Sequence, residues 1–228
     1  MAHEIDIAAV GALLADPGRA AMLAELMGGH PLAAGELARR AALTPSGASN
    51  HLRQLRAGGL VAATADGRNR FYRLANAEVA HALEALGRVA PSLEPRGLKA
   101  AQRNEAIAQA RTCYDHLAGR LGVELTRSLV ARRHLRNAEN GFTVGPSGAR
   151  WFADELQIDV EPLRAARRAF ALRCIDLTER RPHLAGALGA ALAGAFLELG
   201  YGRRLSGTRA LRPTSDGAAW LAANGVVV

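Results

Sequence analysis

The sequence predicts a mainly α-helical protein with short β-hairpins, divided into two parts. Three observations carry that prediction. The first ninety-odd residues run in the order helix, helix, helix-turn-helix, hairpin, helix. A break with two prolines and a glycine, Ala90-Pro91-Ser92-Leu93-Glu94-Pro95-Arg96-Gly97, then interrupts helical patterning. Beyond it, His116-Leu-Ala-Gly-Arg-Leu-Gly-Val-Glu-Leu125 recurs as His183-Leu-Ala-Gly-Ala-Leu-Gly-Ala-Ala-Leu192, with seven of ten positions matching at an offset of 67. The predicted organisation is residues 1–93, a connecting helix over 94–112, and a repeated domain over 113–228.

In the first part, Ile5–Leu14 has apolar helical content, and Asp16-Pro17 reads as an N-cap with proline at the first helical position. The helix it opens carries Ala20, Met22, Leu23, Leu26 and Met27 and stops at Gly28-Gly29. Leu32–Ala42 predicts a short helix with Leu37 and Ala38 inward. Leu43-Thr44-Pro45-Ser46 breaks it, and Thr44 or Ser46 caps the next helix, Pro45–Ala57, which Gly58-Gly59 ends. Leu60–Thr64 and Asn69–Leu74 are strand-like, with Asp66-Gly67 central to the turn between them. Asn76–Val89 closes the set as a helix. This order is that of a winged helix-turn-helix.

The second part predicts two degenerate copies of a helix–hairpin–helix unit. Each copy has a helical stretch, a turn with a short β-prone run (Phe142–Val144; Arg209–Arg212), and a second helix after Pro146-Ser147 or Pro213–Asp216. Their ends echo as Gly148-Ala-Arg-Trp151 and Gly217-Ala-Ala-Trp220. Neither copy buries its own apolar face alone. Ala100–Arg133 reads as one or two helices, which puts Cys113 and His116 on one helical face.

Composition narrows the function classes. The chain has 228 residues, 49% of them hydrophobic, and a formal charge of +8 carried almost wholly by arginine. Lys99 is the sole lysine. The charge is uneven: +1 over residues 1–93 and +7 over 94–228, while residues 34–73 alone carry +5. Such a surplus favours a polyanionic partner or an anionic ligand. Two cysteines cannot staple a chain of this length, which with the absence of a secretory pattern predicts a reducing, cytoplasmic location. The most apolar stretch, Leu184–Leu199, is short for a membrane span and reads as a buried helix. No phosphate loop, Gly-x-Ser-x-Gly or His-Glu-x-x-His is present, so the sequence does not read as an enzyme.

Specific segments resemble the ArsR family of bacterial transcriptional regulators over about the first ninety residues: Leu14-Ala-Asp-Pro-Gly-Arg19, Gly35-Glu-Leu-Ala38, Pro45-Ser-Gly-Ala-Ser-Asn-His-Leu52, Arg56-Ala-Gly-Gly-Leu-Val61 and Gly67-Arg-Asn-Arg-Phe-Tyr72. The resemblance implies that Pro45–Ala57 is a recognition helix, that Thr64–Arg73 is a wing, and that the first and last helices form a dimer interface. The side-chain chemistry agrees. Thr44, Ser46, Gly47, Ser49 and Asn50 are small and polar, as a helix tip entering a major groove requires, and Asn50 suits adenine. His51, Arg53 and Arg56 are placed for phosphates, and Arg68 and Arg70 for the minor groove or its flanks. The sequence departs from metal-sensing relatives: Glu36–Ala42 lacks a Cys-x-Cys, and Glu78, His81 and Glu84 read as a hydrated dimer-edge stripe rather than half a zinc site.

The expected function is that of a homodimeric repressor on double-stranded operator DNA, modulated by a small anionic or aromatic ligand in the C-terminal half. The candidate ligand residues are Arg111, Cys113, Tyr114, His116, Trp151, Cys174, His183 and Trp220, with Phe152 and Phe170 as further apolar walls. Two alternatives stay open: a thiol-redox, metal or haem response through Cys113, Cys174, His116 and His183, and a ligand-independent architectural DNA binder. The cysteines also read as small buried hydrophobes and the histidines as buried hydrogen-bonded caps. No metal or cofactor is required by the sequence. Packing of the copies about a pseudo-twofold makes His116 and His183 equivalent, but the cysteines lie three and nine residues upstream and need not be.

Overall fold

The computed structural model describes residues 5–91, 94–95 and 97–227. Masses of local order form two compact units, residues 1–83 and 84–228. The packing boundary thus falls within a helix, upstream of the proline-rich break. Ser92, Leu93 and Arg96, which belong to that break, lie outside the described residues.

In the first unit, α1 (Ile7–Leu14) is capped by Asp6 and α2 (Pro17–Leu26) by Asp16, whose Oδ1 accepts from Arg19 N at 2.8 Å. Arg19 then ties three segments together. Its guanidinium donates to Leu13 O, Ala12 O and Gln54 Oε1. The predicted helix over Leu32–Ala42 divides into a short strand β1 (Leu32–Ala33) and α3 (Ala34–Arg40), because Leu32 and Ala33 pair with Tyr72 and Phe71. Thr44 supplies the cap of α4 (Pro45–Ala57), accepting from Gly47 N at 3.2 Å. β2 (Val61–Asp66) and β3 (Asn69–Leu74) pair in register from Val61↔Leu74 to Asp66↔Asn69. The turn is therefore Gly67-Arg68, one residue later than expected, with Gly67 at φ +57° supplying the positive dihedral such a two-residue loop needs. Met22, Leu23, Leu26, Leu37, Leu52, Leu55 and Leu74 form the core beneath α4 and the hairpin. α5 (Ala77–Val89) follows, capped by Asn76.

The second unit begins within α5 and continues through α6 (Leu98–Gln109). The span 100–133, expected as one or two helices, holds two, but the stretch with Cys113 and His116 between them is not helical. β4 (Arg111–Cys113) and β5 (His116–Ala118) form a tight hairpin before α7 (Gly119–Ala131). A second hairpin, β6 (Arg136–Ala138) and β7 (Gly141–Thr143), leads to α8 (Pro146–Leu156) and the short α9 (Val160–Ala165). The order then recurs: hairpin β8 (Leu172–Ile175) and β9 (Pro182–Ala185), α10 (Gly186–Glu198), hairpin β10 (Gly202–Arg204) and β11 (Leu211–Pro213), and α11 (Ser215–Ala223). β6-β7-β8-β9 make one sheet, joined where Gly141 pairs with Leu172. A bridge from Arg111 to Ala210 joins the other two hairpins in the corresponding way. Among the described residues no single helix is long and apolar enough to cross a membrane.

The recurring Leu-Ala-Gly-x-Leu-Gly pattern has a steric reason. Gly119 and Gly186 open α7 and α10 at φ +74° and +81°. Three residues on, a Cβ at Gly122 would lie 2.4 Å from Leu117 O, and one at Gly189 would lie 2.6 Å from Leu184 O. Gly189 also faces His116 Cβ at 3.3 Å and Gly122 faces His183 Cβ at 3.8 Å, so each helix start lets the other segment's histidine approach. Gly189→Ala should therefore destabilise the protein by about 1–3 kcal/mol through overpacking, read by urea unfolding, whereas Gly200→Ser, where nothing lies within 4 Å, should show only the smaller cost of its left-handed backbone.

Candidate functional site

Two groups of predicted residues stand out, one in each unit. In the first, Thr44, Pro45, Ser46, Ser49, Asn50, Arg53 and Arg56 are exposed along α4, while Ala48, Leu52 and Leu55 point into the core. Because Thr44 takes the capping bond, Ser46 is not consumed by it; its hydroxyl lies 3.4 Å from Thr44 Oγ1. Gly47 is half-buried. Arg53 Nη2 donates to Asn50 Oδ1 at 2.5 Å, which ties the tip side chain to a cation one turn along. His51 turns inward: its Nδ1 lies 3.6 Å from Asp16 Oδ1 and its ring packs over Gly18. Arg68 and Arg70 are exposed at and beside the hairpin turn.

In the second unit, the candidate ligand residues separate into two places. Trp151 and Trp220 sit 6.2 Å apart in the main apolar core, Trp151 stacked on His134 and Trp220 on Tyr201. Phe152 is fully buried, and Phe170 packs beneath the Arg164 guanidinium. The aromatic residues thus fill a core rather than wall a pocket. An open groove of about 670 Å³ beside α10, lined by Leu156, Ile158, Leu163, Ala191 and Leu199, contains none of the predicted ligand side chains.

Cys113, His116, Cys174 and His183 instead converge. All four are buried, and their ligand atoms lie within 4.8 Å of one another. Cys113 pairs directly across the first hairpin with His116, and Cys174 directly across the third with His183. The cysteines are therefore equivalent after all. The unequal spacing reflects only the longer loop of the later hairpin, which leaves the register untouched. The strand residues Arg111 to Cys113 and His116 to Ala118 are all buried, so no in–out alternation marked them as strands. Tyr114, half-buried at φ +59°, makes the turn.

The imidazoles meet at their outer nitrogens, Nε2 to Nε2, at 3.1 Å. Each inner nitrogen faces a carboxylate from outside the candidate ligand set. His116 Nδ1 lies 3.4 Å from Asp115 Oδ1, and His183 Nδ1 lies 3.6 Å from Asp176 Oδ2 without a hydrogen-bond partner of its own. A recurring Cys-x-Asp (Cys113-Tyr-Asp115, Cys174-Ile-Asp176) was the available signal. Asp115 is also held by Arg168, whose Nη2 donates to Oδ1 at 2.9 Å. Burial pushes the Asp115 carboxyl up, but the bonds from His116 and Arg168 prevail and hold it at about 2. Burial likewise works against the Asp176 carboxylate. The Arg111 guanidinium and the Glu179 and Gly119 amides outweigh it and keep Asp176 well below the usual range.

The two buried thiols act on one another: Cys174 beside it, with burial, raises the Cys113 thiol, while Cys113, His116 and His183 together lower Cys174 against the opposing effect of burial. Burial alone would push the His116 imidazole down, but Asp115 and Cys174 carry it up. Arg111 is not a free ligand anchor. It is fully buried, and Nη2 donates to Asp176 Oδ2 at 3.0 Å. Glu84, expected on a hydrated stripe, is 1% exposed because Arg209 Nη1 donates to it at 3.4 Å. Glu78 remains exposed.

Comparison with known proteins gives four findings. A helix-turn-helix domain model matches residues 14–63. The chain is similar to the uncharacterized HTH-type transcriptional regulator YdfF of Bacillus subtilis, 42% identical over 212 residues and covering 93% of each chain. It is also similar to the HTH-type transcriptional regulator CmtR of Mycobacterium tuberculosis, 44% identical over 89 residues, 38% of this chain and 73% of that one. Among solved structures, the homodimeric winged helix-turn-helix DNA-binding domain of Mb0332 from Mycobacterium bovis is 30% identical, covering 39% of this chain and 89% of that one, with a TM-score of 0.34.

Replacing Asp176 by alanine should cost about 3–5 kcal/mol, because it strands the buried Arg111 charge, whereas Arg127→Ala, an exposed pair with Glu124, should cost under about 1 kcal/mol; chemical denaturation of the two variants distinguishes them.

Proposed function

The chain belongs to the ArsR family of helix-turn-helix transcriptional regulators, and from that premise we propose that it is a homodimeric repressor whose hold on operator DNA is set by chemistry at the Cys113–His116–Cys174–His183 tetrad. One contrast carries this reading. The first unit exposes a polar helix tip and an arginine-bearing wing, while the second gathers its thiols and two of its imidazoles at one buried point.

In this reading α4 enters the major groove, with Ser46, Ser49 and Asn50 toward base edges and Arg53 and Arg56 toward phosphates. His51, turned toward Asp16, is not among the phosphate contacts of this reading. Arg68 and Arg70 reach the minor groove or its flanking phosphates. α1 supports the dimer: it buries none of its residues, and Ile5, Ile7 and Val10 in and before it are exposed, apolar surface that a second copy would cover. Two α4 helices would then lie about one duplex turn apart, ~34 Å. The tetrad would act by favouring one tilt of the paired reading heads; a coupling of about 1–3 kcal/mol suffices to change occupancy. The repeated element order and the interdigitated glycines support two degenerate copies of one unit behind the tetrad.

The test is fluorescence anisotropy of the full chain on duplexes from its own upstream region, across ionic strengths. Arg68→Ala with Arg70→Ala should weaken binding to every sequence and reduce the slope of log K against log salt by about 2. Unchanged affinity at low salt removes the wing. Asn50→Ala should lower discrimination at one position by about 1–3 kcal/mol; an unchanged preference removes it as a base contact. No rise in anisotropy with any duplex at any ionic strength would overturn the regulator reading.

A further inference from the structure

We propose that the Cys113–His116–Cys174–His183 tetrad is a closed tetrahedral site for a divalent d10 cation, Zn²⁺ in kind, which clips the β4–β5 hairpin to the β8–β9 hairpin. The proposal names the effector class for the site described above and, for its regulatory meaning alone, rests on the regulator reading.

Three features of the site carry it. The first is the donor set. Two thiols and two imidazoles are the combination that selects tetrahedral zinc-like ions over the hard, oxygen-seeking Mg²⁺ and Ca²⁺. The second is spacing. A tetrahedral zinc with ordinary bond lengths sets its nitrogens ~3.3 Å apart and its sulfurs ~3.8 Å apart. The two Nε2 atoms stand at 3.1 Å, and all four donor atoms lie within 4.8 Å of one another. Neighbouring side chains already hold the donors near the positions a cation requires.

The third is the surrounding shell. Both histidines point Nε2 at the centre and Nδ1 at a carboxylate, Asp115 for His116 and Asp176 for His183. The contact with Asp115 orients the His116 ring so that its central nitrogen offers the metal-facing lone pair, and the Asp176 carboxylate stands 3.6 Å from His183 Nδ1 on the corresponding side. Cys113, Cys174, Ala118 and Ala185 form a small buried cluster of their own, which excludes water as a further ligand. Four protein donors leave no position open for substrate, so the site is not a hydrolytic centre.

Charge selects the oxidation state. On binding, the cation replaces the thiol protons, which leave to solvent, and two thiolates balance a 2+ ion. The buried centre ends neutral. A monovalent soft cation would leave an unpaired negative charge there, which burial disfavours. Because each hairpin supplies one cysteine and one histidine, the bound ion cross-links segments some sixty residues apart in sequence. Binding is therefore coupled to the packing of the whole second unit.

The test uses the full chain, stripped of metal and kept reduced, titrated with Co²⁺ as a coloured probe. The expected result is saturation at one Co²⁺ per chain, with the intense visible bands of tetrahedral cobalt and a thiolate-to-cobalt charge-transfer band, both abolished stoichiometrically by Zn²⁺. Cys113→Ser should roughly halve the charge-transfer intensity per bound cobalt. Asp115→Asn, a positioning change, should retain the tetrahedral spectrum and weaken Zn²⁺ affinity about tenfold. A weak octahedral spectrum, a stoichiometry well below one in fully reduced protein, or a spectrum unchanged by Cys113→Ser would overturn the site. The unsubstituted protein gives the decisive reading, so a variant that fails to fold does not protect the proposal. No DNA enters this measurement. A chain that binds cobalt as described but holds its operator equally with and without Zn²⁺ keeps the site and loses the repressor switch, and the opposite pattern loses the site alone.

Discussion

The buried carboxylate of Asp176 holds the second unit together. It accepts from Arg111 Nη2 at 3.0 Å and from Gly119 N at 2.7 Å, both in the earlier half of the unit, and from the amides of Thr178 and Glu179 in its own loop. It also faces His183. One side chain thereby fixes the β4–β5 hairpin, the start of α7 and the β8–β9 loop against one another. A fully buried ion pair of this kind returns little net stability over an apolar pair of the same shape, but it tolerates only one arrangement. That constraint is what gives the tetrad its geometry.

The glycines beside the tetrad serve the same end by subtraction. Gly122 and Gly189 remove side chains where each helix start meets a carbonyl and the opposite histidine. The aromatic cluster of His134, Trp151, Tyr201, Phe196 and Trp220 fills the space further out. Polar precision is thus confined to a small centre, and bulk hydrophobic packing supplies the mass around it. Glu84 extends the polar centre to α5, where its buried carboxylate meets Arg209 and bears on the Cys113 thiol.

The first unit follows a different economy. The surface proposed for DNA is built from exposed residues of one helix and one hairpin, and rigidity comes from beneath, through Leu52, Leu55 and the Arg19 ties. Here the outward side chains are free to serve a ligand because the inward ones satisfy the fold.

The reading head was legible in the residues themselves. Asp16-Pro17, Thr44-Pro45 and Gly58-Gly59 are caps and stops whose effect is local, and the Gly67 turn missed by a single residue because neighbouring Asp66 has similar turn chemistry. The matching strings around His116 and His183 were visible in the sequence too, but the close approach their glycines permit was not. Nor was the meeting of the four ligands. Cys113 and His116 read as helical neighbours because their strands are buried on both faces and show no alternation. The cysteines looked inequivalent because loop length hides cross-strand register. Glu84 looked hydrated because its partner, Arg209, lies more than a hundred residues away. Caps and turns are settled by neighbours along the chain; register and charge pairing are settled by segments brought together only when the chain has folded, and so the tertiary structure alone decided them.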